Sequence, residues 1–531
     1  MLLSCTQYWL LRASCSTKLL DIVGYDLTSN HRQNLITMPS TTDGVNGTSG
    51  HANGNANYTT QICKENSIPA THLLATFAAS ARPSDLTPEL RNKVKEVLLD
   101  YIGVTVGALH HADSTEPIYN SIKALQGQTV TTSSPGVTTV LGKGPPHFLP
   151  QYAGLLNAAF GHSLDFDDTY AEGTLHAGVT TISAALVQAE LSGSSAEEFM
   201  LAVSVAYEAT CRLGRELGYE AYSRGFHNTS TAGIFGSIAT IAVLKHLDVR
   251  VVENAFGLAG SKAAGSMQYL ENGSWNKRLH AGFAVHDAFM CLALAEAGVV
   301  GAAKIIEGKN GFFKAYTPNP HVDLGRLTAG LGEEWCWLKS SLKPYPACRM
   351  THGFIELSGN FNKARKSQEQ GSSDDIESVE LWMSPSNHIL IGDPTPNKRH
   401  PTNVIDAQFS AYFQVACALL YGAKTGDMSP YSRLEDPAIN ALTDKIEVKT
   451  DKSMSQFAAK MKVKWRDGKE DEGDQKYPLG EVQHPFTQDL VEEKFLSLAV
   501  PVYGEQKAAD IVKRIEALEQ QDVKDLIEIL R

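Results

Sequence analysis

Residues 196–214, AEEFMLAVSVAYEATCRLG, and residues 232–247, AGIFGSIATIAVLKHL, decide the expected fold of this chain. Both stretches are long enough for helices, and both carry small or apolar residues on several sides. Helices of this kind are usually packed inside a bundle rather than lying on its surface. Three more stretches of the same kind lie around them, at 154–164, 180–191 and 283–301. The region 152–303 therefore predicts a large all-helical domain.

The composition changes after about residue 335. Three stretches predict β-strands, the last of them ending in an Asp-Gly turn: SVELWMSP (378–385), KIEVKTD (445–451) and AAKMKVKWRDGKEDEGD (458–474). A further apolar helix is predicted between them at 406–422. We therefore expect a mainly α protein, in which a smaller α+β lid domain (338–484) is inserted into the helical domain (67–337). Amphipathic helices in 485–531 are expected to return to the helical domain.

The first 66 residues are expected to be a disordered or targeting extension. Residues 38–66 consist largely of Gly, Asn, Ser and Thr, and such a segment buries too little surface to offset its ordering entropy. The first twenty residues contain Arg12 and Lys18 and no acid before Asp21, which weakly resembles a mitochondrial presequence. The alternative is translation from Met38. The expected location is cytoplasmic, or mitochondrial if the presequence is used.

Bulk composition narrows the class of function. The chain has 531 residues, too many for one hydrophobic core, with 47 Lys+Arg against 59 Asp+Glu and a formal charge of −12. This charge argues against a nucleic-acid binder, although cations gathered in a cleft could still bind an anionic substrate. No apolar stretch is long enough for a membrane span. The eight cysteines form no C-x-x-C pair, so no zinc ribbon or iron–sulfur cluster is expected.

The densest polar cluster in the apolar region is HSLDFDDT (162–169), followed by LHAG (175–178). Its three carboxylates lie within four residues and repel one another unless they are protonated, paired or metal-bound. Such a cluster among core-like helices favours a functional site. Two alternatives are a helix end with acids in the following loop, and a metal site built from Asp-x-Asp-Asp and a histidine.

Three later segments could complete the site: RGFHNTSTAG (224–233), NKRLHAG (276–282) and LKPYPACRMTHG (342–353). Taken singly, they are equally compatible with a capping histidine, a basic surface turn and a proline-stiffened connection. Taken together with the acidic cluster, they supply acids, imidazoles and cations. Lysines and an arginine bind carboxylates, while a His/Asp pair moves a proton. This combination predicts a site for a polycarboxylic acid.

These four motifs, in this order and spacing, resemble the MmgE/PrpD family, which includes 2-methylcitrate dehydratases and cis-aconitate decarboxylases. The resemblance runs from about residue 67 to the C-terminus. It implies a helical domain with an α+β lid, a homodimer, and chemistry without a metal or other cofactor. The sequence departs from many members in having LHAG where they have HPSG or HPG. This difference leaves the orientation of the His176 side chain open.

The resemblance carries site residues over by motif. The implied catalytic residues are Asp165, His176, His227, Lys277 and Lys343. The implied substrate-binding residues are Thr169, Arg278, His280, Arg349 and His388, the last on a looser match beyond a lid strand.

The expected reaction follows from these residues. Lys277 and Lys343 neutralise the carboxylates of a citrate- or aconitate-type acid, and His176, oriented by Asp165, transfers a proton. We expect metal-independent dehydration of a 2-alkylcitrate, in a specialised biosynthetic pathway. One alternative is decarboxylation of cis-aconitate or an alkyl-aconitate. More distant alternatives are a non-catalytic polyacid-binding protein and a metal-dependent hydrolase.

Overall fold

The computed structural model describes residues 68–127, 136–145, 147–318, 322–366 and 375–531. The expected N-terminal extension, with its alternative start at Met38, lies outside these residues. No helix in the described part of the chain combines the length and apolar character that a membrane crossing requires. Helices dominate the described chain, which confirms the predicted mainly α fold class.

The first part of the chain is entirely helical. Its helices are α1 (Ala70–Ser80), α2 (Pro88–His111), α3 (Thr115–Gln126), α4 (Pro150–Gly161), α5 (Gly178–Ser192), α6 (Ala196–Ser223), α7 (Asn228–Leu244), α8 (Val249–Ala259), α9 (Asn276–Glu296), α10 (Phe312–Tyr316) and α11 (Leu324–Thr328). Every residue of α7 is buried, as its small and apolar sequence predicts. Gly236 of α7 lies so close to α6 that a Cβ atom there would collide with the hydroxyl of Thr210.

The second part of the chain contains all four strands found among the described residues. Its elements are α12 (His352–Lys366), β1 (Ile376–Met383), α13 (Pro385–Asn387), α14 (Pro396–Arg399), α15 (Val404–Gln408), α16 (Ala411–Tyr421), α17 (Pro437–Thr443), β2 (Ile446–Thr450), β3 (Ala459–Trp465) and β4 (Glu470–Gln475). The sheet order is β2-β1-β3-β4, with β1 parallel to β2 and the other pairs antiparallel. One face of the sheet belongs to a second hydrophobic core shared with α16.

The strand expected in residues 458–474 is confirmed as β3, and the Asp-Gly turn expected at its end lies at Asp467-Gly468. Beyond this turn the chain continues as the strand β4, which the sequence did not predict. The sequence of β4, EDEGDQ, has none of the residues that favour strands. It pairs with the lysine-bearing β3, for example through Lys462 Nζ and Glu470 Oε2 at 2.7 Å. Opposite charges across the ladder therefore support an edge strand that propensity alone does not predict.

The last helices are α18 (Gln488–Tyr503), α19 (Glu505–Glu516) and α20 (Val523–Ile529). Helix α18 lies along α2, and the approach is close because Gly103 of α2 faces Phe495 of α18: a Cβ on this glycine would lie 3.1 Å from the phenylalanine ring. Phe495 belongs to the same hydrophobic core as the first helices. The domain boundaries given above stay predictions.

Candidate active site

The loop that follows α4 carries the acidic cluster into the interior. Asp165, Asp167 and Asp168 are all at least 96% buried. Asp165 adopts a left-handed backbone conformation with φ of 51°, which aspartate tolerates better than most side chains. The loop therefore bends at its first acid. The three carboxylates that it carries have different surroundings.

Three successive carbonyl groups of this loop accept hydrogen bonds from side chains far away in sequence. Gln408 Nε2 donates to Leu164 O at 2.7 Å, and Lys343 Nζ donates to Asp165 O at 2.7 Å. Lys494 Nζ donates to Phe166 O at 2.8 Å. These donors come from α15, from the segment before α12, and from α18. The conformation of the loop is thus fixed by the tertiary fold, because its carbonyls have no ladder or helix of their own.

Asp165 gathers the two lysines. Its Oδ1 accepts a hydrogen bond from Lys277, in the first turn of α9, and lies 3.1 Å from Lys343 Nζ. Burial by itself opposes ionisation, but the two ammonium groups outweigh it and hold the pKa of Asp165 well below its ordinary value. Burial lowers the pKa of Lys343. The buried carboxylate of Asp165 therefore holds the ammonium groups of Lys277 and Lys343 next to each other.

Asp167, not Asp165, is the close partner of the imidazoles. Its Oδ2 accepts a hydrogen bond from His162 Nδ1 at 2.8 Å and lies 3.2 Å from His176 Nδ1, although the latter pair is not aligned for a hydrogen bond. The Nε2 atom of His176 is 4.0 Å from Asp165 Oδ1. From the sequence we expected Asp165 to orient His176. In the structure Asp167 is the nearer carboxylate to His176, and Asp165 pairs with the two lysines.

Asp168 has a third environment. Its Oδ1 accepts a hydrogen bond from the backbone N–H of Gly178, the first residue of α5, at 3.0 Å. Its other carboxylate oxygen is buried without a hydrogen-bond partner. Burial, together with the charges of Asp167 and Asp100, raises the pKa of Asp168 to about 8. This acid is therefore largely protonated at neutral pH.

Four imidazoles lie together beside the acids. The ring centroids of His162 and His176 are 4.8 Å apart, and those of His162 and His227 are 5.4 Å apart. His227 is the N-cap residue of α7, and its Nδ1 is 3.2 Å from Nδ1 of His280. Burial lowers the pKa of His176 to about 4, with Lys277 and Lys343 adding to the effect against the opposing influence of Asp167. Burial also lowers the pKa of His227 and His280, so that these two imidazoles and His176 are neutral bases.

A cavity of about 70 Å³ that is open to the surface lies against these groups. One wall is polar and is formed by residues of the helical part: Asp165, Thr169, His176, His227 and Lys277. A second group of lining residues, the apolar wall, comes from the second part of the chain: Cys348, Met350, Leu390, Phe409 and Phe457. The two walls meet where the ammonium of Lys277 lies 5.4 Å above the centre of the Phe409 ring. The cavity thus combines cations, bases and an apolar surface.

The structure brings most of the expected residues to this cavity, but not all. All five expected catalytic residues line it, as do Thr169 and Arg349. The guanidinium of Arg349 is engaged with Glu481, at 2.6 Å, although one of its terminal nitrogens is buried without a partner. Arg278 does not line the cavity and donates instead to Ser114 Oγ at 2.6 Å.

Two further expected residues are also away from the cavity. His280 does not line it and contacts His227. His388 lines a different surface depression, with Arg399 and Tyr412, because the π-helical turn that carries it places it on that side of the sheet. Direct substrate contact by His388 therefore has no geometric support at this cavity.

Sequence reasoning missed two polar residues and the apolar wall. His162 and Asp167 belong to the same motif as Asp165, and their spacing of five residues gave no reason to pair them. The wall residues Met350, Leu390 and Phe457 come from three separate segments, and each alone is typical of an ordinary core residue.

The expected alternative of a metal site has one candidate group. One donor atom each from His162, Asp167 and His176 lie within 4.8 Å of one another, and no other such group occurs in the described residues. The 2.8 Å distance between His162 and Asp167 is that of a hydrogen bond with a proton between the two atoms. The ammonium groups of Lys277 and Lys343, next to Asp165, also oppose a further cation. The geometry fits an acid–imidazole pair better than a ligand set.

Comparisons with known proteins identify the family of this chain. The model of the MmgE/PrpD N-terminal domain matches residues 72–325, and that of the C-terminal domain matches residues 345–520. The cis-aconitate decarboxylase-like protein oryM of Aspergillus oryzae is 25% identical over 477 residues, 86% of this chain and 96% of that protein. The cis-aconitate decarboxylase of Aspergillus terreus is 24% identical over 505 residues, 91% and 97% of the two chains. The human cis-aconitate decarboxylase is 25% identical over 476 residues, 86% and 92%. Two domain models in succession thus cover most of the described chain, and the protein belongs to the MmgE/PrpD family.

Proposed function

We propose that this protein is a lyase that removes CO2 from an aconitate-type tricarboxylate without a metal ion. The observation that carries the proposal is the arrangement of Lys277 and Lys343 on Asp165, at a cavity that also presents His176 and His227. Two fixed ammonium groups suit the carboxylates of a polyacid, and the imidazoles suit proton transfer. The names of the relatives, at about a quarter identity, support decarboxylation over the dehydration that we expected from the sequence.

The reaction balances with these groups alone. The bond between the allylic methylene carbon and its carboxylate breaks, and CO2 leaves. The electron pair spreads over the allylic carbons toward a remaining carboxylate, where a lysine ammonium stabilises the charge. An imidazolium then donates a proton to the far carbon. No oxidant or reductant is needed.

His176 becomes the donor of that proton when the substrate binds. The pKa of His176 is about 4, lowered mainly by burial and further by the two lysines. A trianionic substrate neutralises the field of the lysines and adds negative charge beside the ring. The pKa of His176 must then rise, so that the imidazole takes up a proton when substrate binds. Substrate binding therefore prepares the acid that the reaction consumes.

A second candidate function is dehydration of a 2-alkylcitrate. Two observations favour keeping it. The ring centroids of His176 and His227 are 6.5 Å apart, so that one imidazole could remove a proton while the other protonates the departing hydroxyl. The apolar wall that includes Met350 and Leu390 suits an alkyl chain on the substrate. The same wall would accept an alkyl-aconitate in the decarboxylation.

The deciding experiment incubates the purified protein separately with cis-aconitate, an alkyl-substituted aconitate and 2-methylcitrate. We expect CO2 release from an aconitate, undiminished by a chelator. Formation of an unsaturated acid from 2-methylcitrate without CO2 would instead establish the dehydratase. Tight binding of all three acids without any turnover would establish a polyacid-binding protein.

A matched pair of variants shows whether this cavity is responsible. Lys277→Met removes an ammonium from the cavity, whereas Lys262→Met removes a half-exposed one that pairs with Asp287 at 3.1 Å. We expect kcat/KM to fall by about 10²-fold or more in the first variant only, which corresponds to about 3 kcal/mol. Equal activity of the two variants would contradict the proposal.

A further inference from the structure

We infer that Asp167 and His162 form a positioning pair that fixes the orientation of His176. This inference rests on the proposed function, because it assigns how the proton-transfer group of that site is held. Asp167 and His162 are each at least 98% buried, and neither lines the cavity. They therefore act through His176 and do not touch the substrate.

The pair is built around a single carboxylate oxygen. Oδ2 of Asp167 accepts the 2.8 Å hydrogen bond of His162 Nδ1 and stands 3.2 Å from Nδ1 of His176. Burial opposes ionisation of Asp167, but the hydrogen bond from His162 and the nearby ring nitrogen of His176 outweigh it and keep the pKa of Asp167 well below its ordinary value. A fixed anion on one side of the ring directs Nδ1 of His176 toward it. The Nε2 atom is then the nitrogen that remains for the substrate.

The fold holds this pair rigidly. His162 is the residue immediately after α4, and its backbone N–H donates to Ala158 O at 3.1 Å. The backbone just before Asp167 is fixed by the hydrogen bond from Lys494 to Phe166 O, at 2.8 Å. Both ends of the hydrogen bond between His162 and Asp167 are therefore anchored to separate helices. A rotation of the His176 ring would move its Nδ1 away from the Asp167 carboxylate, which is held in place and does not move with it.

His162 also connects the two candidate proton-transfer groups. Its ring stacks on that of His227 with centroids 5.4 Å apart and planes inclined by 15°, and meets that of His176 edge-on at 4.8 Å. Its Nε2 is buried without a hydrogen-bond partner. The neighbouring ring of His227 therefore rests against a fixed imidazole on one face, so that the same pair constrains both candidate acid–base groups.

The titratable groups that face His176 come from the loop after α4, from α7, from α9 and from the segment before α12. Asp165 and Asp167 approach from the loop after α4, at 4.0 and 3.2 Å. The ammonium groups of Lys277, from α9, and Lys343, from the segment before α12, oppose protonation of the ring. His162 and His227 add two more titratable rings. Among these groups Asp167 is the nearest anion, so its removal must make the imidazolium of His176 less stable.

The test compares Asp167→Asn with Asp168→Asn. Both replacements remove one carboxylate from neighbouring positions of the same loop, but only the first removes the partner of His176. With an aconitate that the wild type decarboxylates, we expect kcat of Asp167→Asn to fall by about 10²-fold with KM changed less than about threefold. The pH dependence of its kcat/KM should shift by about one unit or more toward acid, because the imidazolium has lost its counter-charge. Asp168→Asn should change neither quantity appreciably.

A readout independent of turnover keeps the inference separate from the proposed function. Long-range ¹H–¹⁵N spectra of histidine-labelled protein report which ring nitrogen carries a proton. We expect the tautomer of His176 to change in Asp167→Asn and not in Asp168→Asn. Absence of turnover in the wild type would refute the proposed function, whereas an unchanged tautomer in Asp167→Asn would refute the inference.

A second variant covers the case in which Asp167→Asn fails to fold. His162→Gln keeps a donor for Asp167 but removes the rigid ring, and we expect kcat to fall about 10-fold at nearly unchanged KM. Wild-type kcat and pH dependence in a folded His162→Gln protein would overturn the inference. A loss of wild-type activity on dialysis against a chelator would do the same, because His162, Asp167 and His176 would then be metal ligands.

Discussion

Lys494 Nζ lies 2.8 Å from the carbonyl oxygen of Phe166, although the two residues are 328 positions apart in the sequence. The same ammonium pairs with Asp100 Oδ1 at 2.5 Å and stands 3.9 Å above the centre of the Phe166 ring. A lysine from α18 therefore supports the loop that carries the three buried acids. The C-terminal helices take part in building the site without reaching its cavity.

Replacing Lys494 by Met is expected to destabilise the protein strongly. The change leaves the Asp100 carboxylate buried without its cation and the Phe166 carbonyl without its donor. Breaking a buried ion pair from one side costs about 3–5 kcal/mol of unfolding free energy. Urea unfolding should show this loss. In the double variant Lys494→Met/Asp100→Leu most of it should be regained, and a double variant no more stable than the single one would contradict this account.

His176→Asn is expected to lower kcat by about 10²–10⁴-fold, because it removes the proton-transfer group while leaving both lysines in place. Binding of the substrate, measured by calorimetry, should persist. The control is His246→Asn, at an exposed histidine whose left-handed backbone asparagine tolerates well. If both variants keep wild-type turnover, the assignment of His176 is wrong.

Asp168→Asn is expected to change how stability depends on pH. The pKa of this carboxyl is raised from 3.8 to about 8 by burial and by the neighbouring acids. Between these values the unfolded chain has already released the proton that the folded protein keeps. Stability contributed by protonated Asp168 is therefore complete below about pH 4 and is lost as the pH rises toward 8. In the Asp168→Asn variant this loss of stability with rising pH is absent.

Thermal unfolding at pH 5 and pH 8 checks the sign of this effect. The stability of Asp168→Asn relative to the wild type should increase between the two pH values, by about 1 kcal/mol per pH unit. A relative stability that stays the same over this range would mean that Asp168 is ionised in the folded protein.

Leu390→Asn is expected to alter substrate preference. Leu390 belongs to the apolar wall of the cavity, whereas its neighbour Ile389 is 74% exposed and lies outside it. If the wall holds an alkyl chain, the Leu390 change should lower kcat/KM for an alkyl-aconitate by about 10-fold relative to cis-aconitate, since a few methylene contacts are worth about 1–3 kcal/mol. Ile389→Asn should leave the ratio unchanged. An unchanged ratio in both variants would argue that the substrate carries no alkyl group.

The helical part of the fold was predictable because its signal is local. Runs such as residues 232–247 are apolar on all sides, and a helix of that kind must be buried wherever it lies. The edge strand β4 was not predictable in the same way. Its acidic sequence disfavours a strand, and only the lysines of β3 across the ladder, such as Lys462, make that conformation favourable.

For the candidate site, the sequence by itself determined which chemical groups are available. Asp165, His176, His227, Lys277 and Lys343 occur in short motifs whose residue types indicate a polyacid site, and all five line one cavity. Only the tertiary structure decided how these groups are partnered.

The different partners of Asp165 and Asp167 show most clearly what the tertiary structure decides. Asp165 contacts the lysines and Asp167 contacts the imidazoles. The loop that carries them bends at Asp165, and Gln408, Lys343 and Lys494 hold three successive carbonyls of it. Those donors lie 178 to 328 residues away from the carbonyls they bind. A motif specifies side chains over a few residues, whereas charge pairing depends on which distant segments are brought within a few ångströms when the core packs.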